Sequence, residues 1–337
     1  MVSSKDVAKK AGVSQPTVSR VLNNPDSVKA EKREKVLRAM EELGYYPNLI
    51  ARSLVTNTTK TIALISGTLK NDFFVETTDS IIHTANQRGY KTIVYFEDEN
   101  GDHVEDYWDS IMGYKVDGIL LSLIRMDDPV LKKIENARIP SVFFNRKPQH
   151  NNHYVVLDNV LAARLLTKHL LELGHRKIAY LSGKTDYSTF YERKLGFETT
   201  MQEAQVQLIP ELVHYIDITN DDIERVVLSL LGGKERPTAI ICVTDAMALT
   251  CMNVILSAGL RIPEDISIAG MDDTHIASHQ AIQLTTIGHH KFEMGKIATE
   301  NLIELIEGAN DTGSLRQVIL KPELIVRKTT AERSPRG

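Results

Sequence analysis

Gly12 constrains the start of this chain more than any other residue. It falls between two short amphipathic segments in SKDVAKKAGVSQPTVSRVLN, residues 4–23. Glycine takes a left-handed turn without strain, so the first segment ends as a helix there and a second can begin at once. Ser4 and Asp6 suit the start of the first helix by capping and charge. Val7, Ala8 and Ala11 form its apolar stripe. Ser14 is placed to cap the second helix, and Pro16 is tolerated in its first turn, where no intrahelical N–H is lost. Val18, Val21 and Leu22 then face inward, which leaves Gln15, Ser19 and Arg20 outward. Such a pair of helices is either a plain helical hairpin or a helix-turn-helix, whose second helix enters the major groove of DNA.

Two later features favour the second alternative. The spacing predicts a third helix from about Lys29 to Leu43, with Val36, Leu37, Met40 and Leu43 closing a three-helix core. YYPNLIARSL follows at residues 45–54. Charge agrees. Residues 1–60 hold eleven Lys or Arg against six Asp or Glu, a net of +5, so the remainder carries about −9 within a total of −4. A basic head on an acidic body is the electrostatic footprint of a nucleic-acid-binding module joined to something else.

Beyond residue 60 the pattern changes to strands alternating with helices. TIALIS (61–66), KTIVYF (91–96), GILLSL (118–123), PSVFFN (140–145) and HYVVLD (153–158) read as strands. Helices fall near 73–88, 102–113, 128–136 and 159–173 between and after them. KIAYLSG (177–183), VHYIDI (213–218), AIICVT (239–244) and ISIAGM (266–271) continue the alternation. Parallel sheets covered on both faces follow from this order. LTTIGH, a helix near 291–307 and RQVILKPELIVR are left over. The composition, 42% hydrophobic and 25% charged, is that of a soluble globular chain of two or three domains. No apolar run reaches membrane-spanning length, no signal-peptide core opens the chain, and Cys242 and Cys251 are too few for a disulfide scaffold. A cytoplasmic location is the expectation.

DVAKKAGVSQPTVSRVLN and EKREKVLRAMEELGYYPNLIARSL resemble the DNA-binding headpiece and hinge of the lactose-repressor (LacI/GalR) family of bacterial transcription regulators. The resemblance covers about residues 3 to 328. It implies a small all-α helix-turn-helix headpiece (1–46), a hinge helix and linker (47–60), and an α/β body (61–330) like periplasmic sugar-binding proteins. In that body two parallel-sheet lobes enclose a ligand. Lobe one takes about 61–158 and 290–320, lobe two about 159–288 and 321–330. The family's chain crosses between lobes three times, which accounts for the leftover C-terminal elements.

Site residues follow from the residues and the resemblance together. Arg20 can bond bidentately to guanine, or alternatively hold a phosphate. Gln15 can read adenine, and Pro16 offers only shape or a thymine-methyl contact. Thr17, Ser19 and Asn23 suit backbone positioning through phosphates, and Ser14, the cap of the second helix, joins the DNA-binding set. Asn48, Arg52 and Leu54 belong to the hinge. Leu54 matches the leucine that the family wedges into the minor groove, where added contacts offset the cost of unstacking. A plain flexible linker is the alternative there, since so short a helix is marginal alone. In the body, Asp72, Phe73, Phe74, Asn145, Arg146, Arg193, Thr244, Asp245, Asp272 and His289 match effector-pocket positions at strand ends, where open α/β sheets bind ligands. Arginine, aspartate and amide flanked by aromatic rings suit a hydroxyl-rich ligand such as a sugar. For His289 a structural role is the alternative.

Enzyme readings find little support. GKT at 183–185 lacks the P-loop glycine, since Ile178 stands in its place. No GxGxxG opens a helix, His275 and His279 form no HExxH, and no GxSxG is present, so neither metal nor cofactor is expected. The resemblance implies a transcription regulator, read here as a repressor, with operator DNA, a small carbohydrate-like effector and a second copy of itself as partners. The end AERSPRG carries no heptads, so a dimer rather than a tetramer is expected. Two alternatives stay open. One is a cytosolic sugar-binding or sugar-processing protein with an incidental helical head. The other is a regulator signalled by a partner protein, as in the catabolite-control branch of the family.

Overall fold

The computed structural model describes residues 2–46, 58–96, 104–149, 152–288, 290–308 and 314–333. The chain forms two compact units, Met1–Thr59 and Lys60–Gly337.

The first unit holds three helices, α1 (Ser4–Ala11), α2 (Gln15–Asn23) and α3 (Ala30–Leu43). Ser3, not Ser4, caps α1. Its extended backbone lets its hydroxyl accept from the Asp6 N–H while the Asp6 carboxylate accepts from the Ser3 N–H at 2.9 Å, a reciprocal capping box. Gly12 ends α1 at φ 65°, its N–H donating back to Ala8 and Lys9. Ser14 stands at the cap position of α2, but its hydroxyl pairs with Thr17 Oγ1 at 2.9 Å rather than with a backbone N–H. Val7, Ala8, Ala11, Val18, Val21, Val36 and Ala39 make the core, with Leu22, Met40 and Leu43 packed against it. Leu37, expected in that core, is 50% exposed. On α3 the inward set is Val36, Ala39, Met40 and Leu43, the i, i+3, i+4, i+7 stripe, and Leu37 lies about 100° off it.

The body's first sheet contains β1 (Thr61–Ser66), β2 (Lys91–Phe96), β3 (Gly118–Leu121), β4 (Ser141–Phe144), β5 (Tyr154–Leu157) and β11 (Gln317–Leu320). They run parallel in the order β11-β5-β4-β3-β1-β2. Helices α4 (Asp72–Gln87), α5 (Val104–Tyr114) and α6 (Val130–Ala137) alternate with its strands. Successive residues of β1 serve different cores: Ile62 and Leu64 join the larger cluster, Ala63 and Ile65 the one with Ile111 of α5 and Ile134 of α6. That is why this strand is an unbroken apolar run rather than an alternating one.

The second lobe has β6 (Ile178–Ser182), β7 (Val213–Tyr215), β8 (Ala239–Cys242) and β9 (Ser267–Ala269), parallel in the order β7-β6-β8-β9. Its helices are α7 (Asn159–Glu172), α8 (Ser188–Glu203), α9 (Asn220–Gly232) and α10 (Asp245–Ser257). The C-terminal remainder resolves into β10 (Thr286–Gly288), α11 (Lys291–Ile306), β11 and β12 (Glu323–Ile325). β10 and β12 pair antiparallel, and α11 returns to lie beside α4 on the first lobe. The approach is close: a Cβ on Gly295 would stand 2.9 Å from the Thr77 carbonyl.

Candidate effector cleft and DNA-contacting helix

The carboxyl ends of the two sheets face each other, and loops from both lobes meet there. Thr189, in the first turn of α8, donates its hydroxyl to the Asn145 carbonyl at 2.7 Å. The Lys147 N–H donates to Ser188 Oγ at 2.9 Å, and the Met126 N–H to the Asp186 carbonyl at 3.0 Å. Two ion pairs reinforce the seam, Lys147–Glu192 at 2.8 Å and Arg125–Asp186 at 3.4 Å. Arg146 lays its guanidinium 3.9 Å from the centre of the Tyr187 ring and 5.6 Å from that of Phe190. A cation desolvated against an aromatic face gains up to about 2 kcal/mol. Asn145 and Arg146 are both buried, and Asn145 turns the chain there at φ 61°.

Arg193 is a deeply buried cation of the cleft, 1% exposed. Its Nε donates to Asn159 Oδ1 at 2.9 Å, its Nη1 to the Val243 carbonyl, and its Nη2 lies 3.8 Å from Asp272 Oδ1. Loss of solvent is the largest influence on both groups. It lowers the guanidinium's pKa and pushes the Asp272 carboxyl up to about 8, although each charge supports the other's ionised form. Asp272 holds φ 136°, a region L-residues rarely adopt. Its loop is held from below: the Asp272 N–H donates to Ile287, and Lys291 Nζ donates to the Asp272 carbonyl at 2.8 Å and to the Asp273 carbonyl.

Asp245 and Thr244 differ from their expected place against a ligand. Asp245 is fully buried, its Oδ1 accepting from Thr286 Oγ1 at 2.6 Å and its Oδ2 from the Thr274 N–H at 2.8 Å and hydroxyl at 3.2 Å. Its carboxylate thus ties the Asp272 loop to β10 and α10, and burial raises its pKa. The Thr244 hydroxyl is the N-cap of α10, accepting from the Met247 N–H at 3.2 Å. Asp72, Phe73 and Phe74 form the first turn of α4, capped by the Asn71 side chain. Both rings are buried, in edge contact at 5.2 Å between centroids. His289 lies outside the described residues.

Tyr187, Phe190, Glu192 and Asn159 were not singled out from the sequence. A repeat was the missed signal. SGTLKNDFF (66–74) and SGKTDYSTF (182–190) both place a serine and glycine at a strand end and a phenylalanine seven residues after the glycine. The structure explains the spacing. Phe74 lies over Gly67 and Phe190 over Gly183, so close that an added Cβ would stand 2.3 and 2.4 Å from the rings. Each lobe thus closes the end of its first strand with the same glycine–phenylalanine seat.

On the first unit, α2 carries Gln15, Pro16, Ser19 and Arg20 at exposed positions, with Ser14 exposed before it and Thr17 half-buried. Gln15 Nε2 donates to Ser4 Oγ at 3.1 Å. Asn48, Arg52, Leu54 and the expected hinge helix lie outside the described residues.

Comparison with known proteins fits this arrangement. Residues 4–48 match the family profile of bacterial regulatory proteins, lacI family, and residues 167–330 that of a periplasmic binding protein-like domain. The chain is 34% identical to the HTH-type transcriptional repressor PurR of Haemophilus influenzae (strain PittEE), over 98% of each chain. The chain belongs to the lacI family. PurR of Vibrio vulnificus (strain CMCP6) is 35% identical over the same share of each. Among solved structures, the lac repressor dimer bound to operator and the anti-inducer ONPF superimposes with a TM-score of 0.86 at 29% identity, over 98% of this chain and 99% of that one. A CelR–cellobiose complex gives 0.73 at 29%, over 98% and 100%. The protein is therefore a DNA-binding transcription regulator of the lacI type, with a helix-turn-helix head and a two-lobed α/β body. Among the described residues, no helix is long and apolar enough to cross a membrane.

Proposed function

We propose that this lacI-family regulator is a cytoplasmic, homodimeric repressor of a near-palindromic operator, released or tightened by a small hydroxyl-bearing effector held between the lobes. The buried Arg193–Asp272 pair carries the reading. A guanidinium donor and a carboxylate acceptor at the carboxyl ends of one sheet, at 1% and 5% side-chain exposure, match the paired donor and acceptor needs of vicinal hydroxyls. Phe73, Phe74, Asn145, Arg146, Asp72 and His289 complete the proposed pocket, with Asp245 bracing the Asp272 loop and Thr244 capping α10. The solved relatives support a ligand of this class, one holding cellobiose and another ONPF.

On the DNA side, α2 supplies the reading surface in this proposal. Arg20 and Gln15 address base edges, Pro16 contributes shape, and Ser14, Thr17, Ser19 and Asn23 contact phosphates. Asn48, Arg52 and Leu54 act in the minor groove. Homodimerisation follows from symmetry, since one head reads one half-site. The lac repressor relative is described as a dimer on operator.

The test has two arms. In vitro selection from a random duplex library should enrich an inverted repeat. A thermal-shift panel of sugars and sugar phosphates should then yield a compound that raises the melting temperature and changes affinity for the selected duplex at least tenfold. A ligand at a hundred times its Kd adds about 2.7 kcal/mol of stability. A panel in which nothing moves either readout sinks the hydroxyl-ligand reading.

A further inference from the structure

The body helices α4 to α10 each follow a strand, so each begins at a strand's carboxyl end, the edge that faces the cleft. Helix starts of this kind are ready-made anion sites, with unpaired N–H groups and the positive end of the helix dipole. Here each has a carboxylate in its first turn or just ahead of it. Asp72 opens α4 behind the Asn71 cap, and Glu105 lies in the first turn of α5. Asp128 accepts from the Val130 N–H of α6 at 3.1 Å, and Asp158 from the Leu161 N–H of α7 at 2.9 Å. Asp186 stands just before the cap residue of α8. Asp222 lies in the first turn of α9 and Asp245 in that of α10. The carboxylates stabilise their own helices, and in doing so they occupy the places where an anion would bind.

The cations around the cleft are matched in the same way. Arg193 donates to Asn159 and to the Val243 carbonyl and faces Asp272. Lys147 pairs with Glu192 at 2.8 Å, Arg125 with Asp186 at 3.4 Å, and Lys184 with Asp217 at 2.6 Å. Lys291 holds the Asp272 and Asp273 carbonyls and lies 3.4 Å from Glu76 Oε2. Arg146, 9% exposed, lies against the Tyr187 ring. Lys70, on the loop into α4, is exposed, where water and salt screen it.

We propose that the cleft takes an uncharged, hydroxyl-rich ligand and rejects the phosphate esters of the same sugar. This deepens, and rests on, the reading that the cleft holds the effector. A phosphate monoester carries a charge of about −1.5 to −2 at neutral pH. On entering the cleft it would lose water, meet carboxylates at the helix starts, and find the guanidinium and ammonium groups already engaged. A neutral hydroxyl avoids that cost. It can accept from Arg193 Nη2 and donate to Asp272 Oδ1, which stand 3.8 Å apart, and leave both charges balanced. An ammonium group on the ligand gains no counter-ion either, because Glu192 holds Lys147 and Asp245 holds Thr274 and Thr286.

Calorimetry on the full-length protein tests this with matched triplets. Each triplet is a sugar, its primary-O-acetyl ester and its primary phosphate ester, and the sugars are glucose, fructose, ribose and cellobiose. The acetyl ester adds bulk without charge. The expected result is that the tightest ligand is a neutral sugar and that its phosphate ester binds at least about thirtyfold more weakly, the loss that follows from desolvating an unmatched charge. The acetyl ester should stay closer to the parent sugar than the phosphate ester does. Affinity for the neutral sugar should change less than about twofold between about 0.05 and 0.5 M salt, since no ion pair forms with it. Asp186→Asn removes the carboxylate ahead of α8 and releases Arg125, so it should narrow the gap between sugar and phosphate ester at least about fivefold. A phosphate ester that binds as tightly as its parent sugar overturns the proposal and leaves the cleft reading standing. Equal rejection of both esters, or an unchanged gap in Asp186→Asn, overturns charge as the cause. If no member of any triplet binds, the hydroxyl-ligand reading fails and the charge selection fails with it.

Discussion

Arg193 in α8 and Asp272 in the loop after β9 meet with Nη2 and Oδ1 3.8 Å apart, both side chains almost wholly removed from water. Neither charge has solvent to fall back on. Above about pH 8, where Asp272 is ionised, removing Arg193 costs about 3–5 kcal/mol, because the carboxylate is left charged and buried. Arg193→Met should therefore lower the urea midpoint of the body sharply. Arg193→Met with Asp272→Asn should be milder than Arg193→Met alone. Equal midpoints for the single and double variants would show that the pair is not the source of the loss.

Asp272 also sets a pH dependence. Its ordinary value is 3.8 in the unfolded chain, and burial raises it to about 8 in the folded one, so the folded state holds the proton more tightly. The stability that the neutral carboxyl contributes is complete below about pH 4, is lost as the pH climbs to about 8, and changes no further above that. Asp272→Asn cannot ionise. Its stability relative to wild type should grow between pH 4.5 and 8 and level off beyond, as read from urea midpoints at each pH. A constant difference across that range would remove Asp272 as the titrating group.

Arg20 is exposed on α2, one turn beyond Pro16, where a side chain can reach a base edge. Arg20→Ala should cost roughly 1–3 kcal/mol of affinity for the selected duplex and relax preference at one position in each half-site. Arg20→Lys should restore little, since the second parallel donor is missing. The check is anisotropy against the selected duplex and its single-base variants. Uniform weakening on every sequence would reassign Arg20 to phosphate.

Much of this architecture was legible because it repeats a period. The apolar runs at 61–66, 91–96 and 178–182 coincide with strands, since both faces of a parallel sheet are covered. Where a single residue decides, the pattern was less informative. Leu37 is apolar but off the stripe, and Ala39, small and easily overlooked, is buried in its place. Ser3 and Ser4 are chemically the same, so only the extended backbone at Ser3 settles which one caps α1. The cleft shows the same limit. A strand-end carboxylate such as Asp245 looks available in sequence, yet two threonines 29 and 41 residues away consume it. Lys147 and Glu192 are far apart in the chain and meet only once the lobes are assembled.

The paired glycine–phenylalanine seats give the most exposed test of the cleft's construction. Gly183 and Gly67 are not needed here for a left-handed turn. Each is required because a ring occupies the space of its missing side chain, 2.4 Å from the would-be Cβ at Gly183 and 2.3 Å at Gly67. Gly183→Ala should force Phe190 out of its seat at a cost of about 1–3 kcal/mol, the usual penalty for overpacking. Phe190 lies 5.6 Å from the Arg146 guanidinium and in edge contact with Tyr187, so its displacement also disturbs the seam between lobes. The double variant Gly183→Ala with Phe190→Leu should recover part of the loss, because the smaller side chain vacates the contested volume. The same pattern should hold at Gly67 and Phe74. Thermal midpoints of the four single variants and two doubles decide it. If Gly183→Ala melts like wild type, or if Phe190→Leu adds to its loss instead of relieving it, the seat is not the reason for the glycine.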